Sequence, residues 1–207
     1  MKKLESSLKN MLMVLTAVTV VAVALLAIVN QITEAPIREA NKKALEEGLK
    51  IALNVNPADA LAVQAEETLE NGSIIYKTDK GTAVQATTQG FGGDLKVLVG
   101  FDAEGTILNY SILATAETPG LGSKAADWFK AGGKGNITGK NPGEKELKVT
   151  KDQGEIDAIT ASTITSRAFL AAVNKAYESL SASSDGGAGA TEQVKKENVE
   201  QTAQTAE

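Results

Sequence analysis

The sequence predicts an α+β protein, with a single N-terminal transmembrane helix followed by an antiparallel sheet and flanking helices. Three observations predict it. Residues 11–29 carry no charge, and within them only Thr16 and Thr19 are polar. From Gly72 the apolar pattern changes to short runs rich in β-branched residues, separated by turns that carry Asp and Gly. Near the C-terminus a long segment repeats apolar residues at spacings of three and four, the period of a helix face.

Residues 1–10 form a short basic segment, with Lys2, Lys3 and Lys9 against Glu5. Residues 11–29 then read as the membrane span, because nineteen helical residues rise about 28 Å, close to a hydrocarbon core of about 30 Å. A signal peptide has a shorter apolar region and ends at a small-residue cleavage site. Here Ile28, Val29, Asn30 and Gln31 offer no such site, so the segment is expected to stay as an anchor. The denser positive charge before the span predicts a cytoplasmic N-terminus, an extracytoplasmic domain and a single pass through the inner (plasma) membrane. Residues 30–70 are expected to form a membrane-proximal helical segment, with Thr33 as N-cap, Pro36 in the first turn and Ile37, Ala40, Ala44, Ile51 and Ala52 on one apolar face.

Residues 71–181 are expected to form the folded domain. Strands are expected at 74–76, 81–87, 95–101 and 107–113, with another at 146–150. The turns TDKG (78–81) and FDAEG (101–105) make the last three of the first four a meander. Helices are expected at 123–131 and 161–180, the longer presenting Phe169, Ala172, Val173, Ala176, Tyr177 and Leu180 to the sheet. Residues 182–207 hold almost nothing to bury and read as a disordered tail.

Composition excludes several chemistries. The chain of 207 residues has no Cys and no His, which removes disulfides, iron–sulfur and thiolate zinc ligation, His-dependent triads, and flavin attachment through either side chain. Redox chemistry would have to come from a borrowed cofactor, and no metal site is expected. A net charge of −5 gives no reason to expect nucleic acid. Three glycine-rich stretches are decoys. GLGSKA (120–125) fits a dinucleotide turn, but Pro119 precedes it and its surroundings form a meander. GNITGKN (135–141) lacks the first Gly and the final Ser or Thr of a phosphate loop, and GFGGD (90–94) reads as a flexible turn.

The most informative stretch is DAITASTITSRAF (157–169), which puts Thr160, Ser162, Thr163, Thr165 and Ser166 into seven residues at the start of the long helix. If Thr160 or Ser162 caps that helix, Thr163 falls in the first turn, where unpaired N–H groups and the helix dipole favour an anion. On the residues alone, capping and phosphate binding stand equal.

DAITASTITS resembles the flavinylation motif of FMN-binding domains, D-A-[IL]-[ST]-G-A-T-x-[ST]-S, and it departs at Ala161 for Gly and Ser162 for Ala. The segment GFGGDLKVLVGFDAEGTILNYSILATAETPGLGSK (90–124) resembles the same family's Gly-rich turn, two strands and E-T-P-G-L-G loop. With the single N-terminal span, the likeness over about residues 10–180 is to the G subunits of Rnf-type electron transport complexes. The C subunit of the Na⁺-translocating NADH:quinone oxidoreductase is the related alternative. The resemblance implies covalent FMN joined by a phosphoester to Thr163, with Asp157, Thr160, Ala161, Ser162 and Thr165 around it. It also implies that Glu117, Thr118, Gly120, Leu121, Gly122 and Lys124 form a loop beside the flavin. Its implied partners are the other membrane and peripheral subunits of the complex and an FAD-dependent flavin transferase. The chain would then relay electrons without a soluble substrate of its own. Two other readings remain at this stage, a non-redox anchored ligand-binding or scaffold module and a reductase using dissociable FMN.

Overall fold

The computed structural model of the protein describes residues 8–185. Lys2, Lys3, Glu5 and the tail beyond Asp185 lie outside the described residues. The chain divides into two units, Met1–Glu47 and Gly48–Glu207. The first helix, α1, runs Leu8–Ala52, and among the described residues it is the one helix long and apolar enough to cross a membrane. Residues 11–29 are exposed on every face. Thr16 and Thr19 hide their hydroxyls by donating to the carbonyls of Leu12 and Leu15 at 2.8 and 2.9 Å, as a polar group in an apolar environment must.

A second helix starting at Thr33 is not what the structure has. Thr33 lies inside α1 and its Oγ1 donates back to the Val29 carbonyl at 2.8 Å. Pro36 is also interior, where it removes the single N–H that would reach Ile32. Nor does the helical segment reach residue 70. Asn54, with φ 54°, ends α1, and the amides of Val55 and Asn54 close onto the carbonyls of Lys50 and Ile51 at 2.8 and 3.2 Å. That pattern terminates a helix through a left-handed residue, and Pro57 follows. Residues 63–68 then form a strand, β1 (Val63–Thr68). Its side chains are nearly all exposed, so the sequence shows no alternation to betray it.

The other strands follow the expected order: β2 (Ile74–Thr78), β3 (Gly81–Gln89), β4 (Asp94–Phe101) and β5 (Ile107–Thr115). All five pair antiparallel with their sequence neighbours in the order β1-β2-β3-β4-β5. The turns behave as their residues dictate. Thr78 pairs with Gly81, and the Asp102 carboxylate accepts the amides of Glu104 and Thr106 at 3.1 and 2.7 Å.

On β4 successive residues face opposite ways. Leu95, Val97, Val99 and Phe101 enter the main core with Val84, Ile107 and Tyr110. Gly100 faces the other way, and a Cβ there would overlap the carbonyl oxygen of Ala52. The end of α1, with buried Leu49, Ala52 and Leu53, thus covers one face of the sheet. The main core is closed by α3 (Thr163–Asp185) through Phe169, Ala172, Val173 and Ala176. Phe169 stacks on Phe129 at 4.3 Å and meets Tyr110 edge-on at 4.7 Å. Helix α3 starts two residues later than expected and runs five residues past Leu180.

Between β5 and α3 the chain is mostly irregular. The helix expected at 123–131 is a 3-10 turn, Gly122–Lys124, followed by the short α2 (Ala125–Trp128). No strand occupies 146–150. Val149 makes one bridge with Ile156, and a 3-10 turn at Thr150–Asp152 doubles the chain back on itself. The amides of Thr150 and Ile156 are satisfied across that turn at 2.9 and 3.1 Å, so no longer ladder forms.

Candidate functional site

The first turn of α3, the loop after β5 and the loop between β3 and β4 meet around an open cleft of about 320 Å³. Glu117 joins the three. It is 8% exposed, and its carboxylate accepts the Phe91 amide at 2.7 Å and the Thr165 hydroxyl at 2.8 Å. Glycines make this possible: a Cβ on Gly90 or Gly122 would overlap a carboxylate oxygen of Glu117. Thr118, Pro119, Gly120 and Leu121 form a tight turn closed by the Leu121 amide on the Thr118 carbonyl at 3.2 Å. Pro in the second position and Gly120 at φ 76° in the third are what that turn requires. Ser123 Oγ accepts the Gly120 amide at 2.9 Å.

The hydroxyl cluster divides by role. Ser166 is fully buried, accepting the Ile159 amide at 2.9 Å and donating to the Ser162 carbonyl at 3.0 Å. Thr165 is 1% exposed and tied to Glu117. Ser162 is buried immediately before α3, and its carbonyl accepts the Ser166 amide at 3.0 Å. Thr163 is half-buried, lines the cleft and stands 3.4 Å from Lys151 Nζ. Thr160 is exposed and lies outside the cleft lining.

Lys151 belongs to the 3-10 turn Thr150–Asp152. The next residue, Asp152, takes Arg167 of α3 in a two-pronged ion pair, Nε and Nη2 each 2.6 Å from a carboxylate oxygen. The guanidinium holds the Asp152 carboxyl below the usual carboxylate range, and the carboxylate raises Arg167 in return. Phe91, Ile164 and Leu121 line the cleft while 68%, 53% and 42% exposed. Three apolar side chains left open to solvent around one cleft suit a flat apolar body. A helix start beside an ammonium suits an anionic end.

Of the site residues expected from the sequence, Glu117, Thr118, Leu121, Gly122, Ala161, Ser162, Thr163 and Thr165 come together at this cleft. Asp157, Thr160, Gly120 and Lys124 do not line it. Asp157 instead uses its backbone, its carbonyl accepting the Trp128 indole N–H at 2.8 Å. Phe91, Ile164 and Lys151 escaped the sequence reading. Phe91 had a signal, an aromatic side chain set among turn glycines where nothing local could bury it. A second cleft of similar volume, lined by Lys140, Lys145, Lys148, Glu146 and Glu155 among others, is self-neutralised. There Lys140 and Lys145 pair with Glu155, and Lys148 pairs with Glu146.

Residues 90–178 match the family of FMN-binding domains, and that range contains both loops and the first turn of α3. The G subunit of the Na⁺-translocating ferredoxin:NAD⁺ oxidoreductase complex of Acetobacterium woodii is 33% identical over 196 residues, spanning 82% of this chain and 91% of the relative. The chain belongs to the G-subunit family of ion-translocating, Rnf-type oxidoreductase complexes. The G subunit of the ion-translocating oxidoreductase complex of Cereibacter sphaeroides is 31% identical over 170 residues, spanning 76% of this chain and 77% of that one. The crystal structure of Shewanella oneidensis NqrC shares the fold with a TM-score of 0.50 at 15% identity, covering 68% of this chain and 93% of that one. Membership of the G-subunit family and the apolar helix together make the chain a membrane-anchored protein.

Proposed function

We propose that the chain is the electron-transfer subunit that carries FMN, joined by a phosphoester to Thr163, within a complex that couples electron flow between ferredoxin and NAD to ion movement. The observation that carries the attachment point is the division of the hydroxyls. Thr165 and Ser166 are buried and bonded into the fold, whereas Thr163 opens on the cleft in the first turn of α3. The named relatives support the setting, since their own description is that of an ion-translocating oxidoreductase.

The residues fit such a group. Phe91, Leu121 and Ile164 offer apolar surface to a planar ring system, and the open N–H groups at the start of α3 together with Lys151 offer positive potential to a phosphate. Glu117 fixes the distance between the two loops and the helix by holding Phe91 and Thr165 at once. FMN held there supplies one- and two-electron transfer, chemistry that a chain without Cys or His has no side chains of its own to provide. The same reading gives the chain two kinds of partner, the other subunits of the complex and an FAD-dependent flavin transferase. It places the N-terminus in the cytoplasm and the FMN-binding domain outside it.

The test is covalency. The full chain is co-expressed with the transferase, purified from membranes and denatured in SDS. A fluorescent band with a mass gain of one FMN less water is expected for wild type and for Thr165→Ala, and a dark band for Thr163→Ala. A dark wild-type band, or a fluorescent Thr163→Ala band, ends the proposal. A wild-type band that loses its flavin on denaturation would instead favour dissociable FMN.

A further inference from the structure

We propose that Lys151 is the positioning cation for the phosphoryl group at Thr163, and that the Arg167–Asp152 ion pair is the brace that keeps it there. The inference rests on the covalent reading above.

Three observations carry it. Lys151 Nζ stands 3.4 Å from Thr163 Oγ1, so its ammonium faces any phosphoryl group joined at that oxygen. Arg167, four residues after Thr163 and next along the same helix face, is already engaged: its Nε and Nη2 both donate to the Asp152 carboxylate. The charge of Arg167 is therefore paired locally, whereas the Lys151 ammonium is the cation directed at Thr163. Finally, the turn that bears Lys151 is closed by its own backbone bonds, and the Asp152–Arg167 pair is the side-chain ion pair that ties it to α3. The turn is a single 3-10 turn of exposed residues, ended by Gln153 in the left-handed region at φ 63°. Asp152 docks that turn onto α3 one residue from Lys151, and so fixes the backbone from which the lysine reaches Thr163.

In the transfer itself a flavin dinucleotide is the donor. The Thr163 Oγ1–P bond forms, the P–O bond to the nucleoside monophosphate leaving group breaks, and the hydroxyl proton passes to solvent. Nothing is oxidised or reduced. Lys151 neither forms nor breaks a bond. It lowers the cost of bringing a negatively charged phosphoryl group against the hydroxyl, an effect that salt screens because the lysine is exposed.

The experiment follows loading by intact mass over time, on purified unloaded chain mixed with transferase and FAD, for wild type, Lys151→Gln, Lys151→Arg and Arg167→Gln. Lys151→Gln is expected to load about fivefold more slowly, the size of an exposed charge contact near 1 kcal/mol. Its rate should also depend less on salt than that of wild type. Lys151→Arg should restore both rate and salt dependence, and Arg167→Gln should fall between them. In loaded chains the ³¹P resonance should move in Lys151→Gln and return in Lys151→Arg. Lys151→Gln loading at the wild-type rate with an unmoved ³¹P resonance overturns the assignment, as does a loss in Lys151→Arg equal to that in Lys151→Gln. Wild type that gains no mass overturns the covalent reading itself, a result separate from either.

Discussion

Ala161 stands where the flavinylation motif has glycine, and the structure gives the physical reason for that glycine: φ at this position is 64°. An L-residue with a Cβ is disfavoured there by about 1–2 kcal/mol, partly offset by the roughly 0.4–1 kcal/mol that alanine contributes by restricting the unfolded chain. Ala161→Gly should therefore stabilise the domain by up to about 1.6 kcal/mol, read as a higher urea midpoint at unchanged slope. An unchanged or lower midpoint would show that the backbone there is not strained. Glu117 gives the opposite expectation. Its two oxygens receive two donors in a buried setting, and Glu117→Ala removes both acceptors. A loss of about 1–3 kcal/mol is expected from the same denaturation measurement. At this scale the sequence was informative about type and uninformative about role. The run of hydroxyls was plain to read, but only packing separates Thr163 from Thr165, since both are threonines two residues apart on one helix.

Elements carry the next two expectations. Tyr110 on β5 pins the short α2 to the sheet: its hydroxyl donates to the Ala125 carbonyl at 2.5 Å and accepts the Phe129 amide at 3.3 Å. Burial pushes this phenol above its ordinary range, so it stays a donor through alkaline pH. Tyr110→Phe removes both of these bonds and should cost about 1–3 kcal/mol, with thermal unfolding as the measurement. The brace between Asp152 and α3 responds to acid. Arg167 lowers the Asp152 pKa in the folded state, so its stabilisation is complete above the unfolded value of about 3.9 and is lost as pH falls through the lower folded value. The difference in melting temperature between wild type and Asp152→Asn should accordingly close below about pH 4, and a difference that persists into stronger acid would contradict the pairing. Strands β2 to β5 and helix α3 were legible because turn residues and two clear periods marked them. β1 and the stretch from 146 to 156 were not. The first exposes nearly all its side chains and leaves no hydrophobic pattern to read, whereas the second buries Leu147 and Val149 in alternation but is closed by backbone bonds around a turn, so its pattern pointed to a strand that does not form.

For the whole molecule, the absence of cysteine makes orientation directly measurable. A single Glu104→Cys, at an exposed position in the β4–β5 turn, should react in intact cells with a membrane-impermeant maleimide if the domain lies outside the cytoplasm. Labelling that needs the cells to be broken would reverse the proposed topology. The position of Glu117 and Thr165 in the chain also has a consequence in time. The carboxylate that shapes the cleft is bonded across 26 residues to Phe91 and across 48 to Thr165, and among the described residues α3 is the last element to be synthesised. A chain still emerging, or one truncated before α3, has strands but no assembled cleft. Cofactor loading on this scheme can begin only after the domain has closed, and a loaded chain would therefore be a record that folding had already finished.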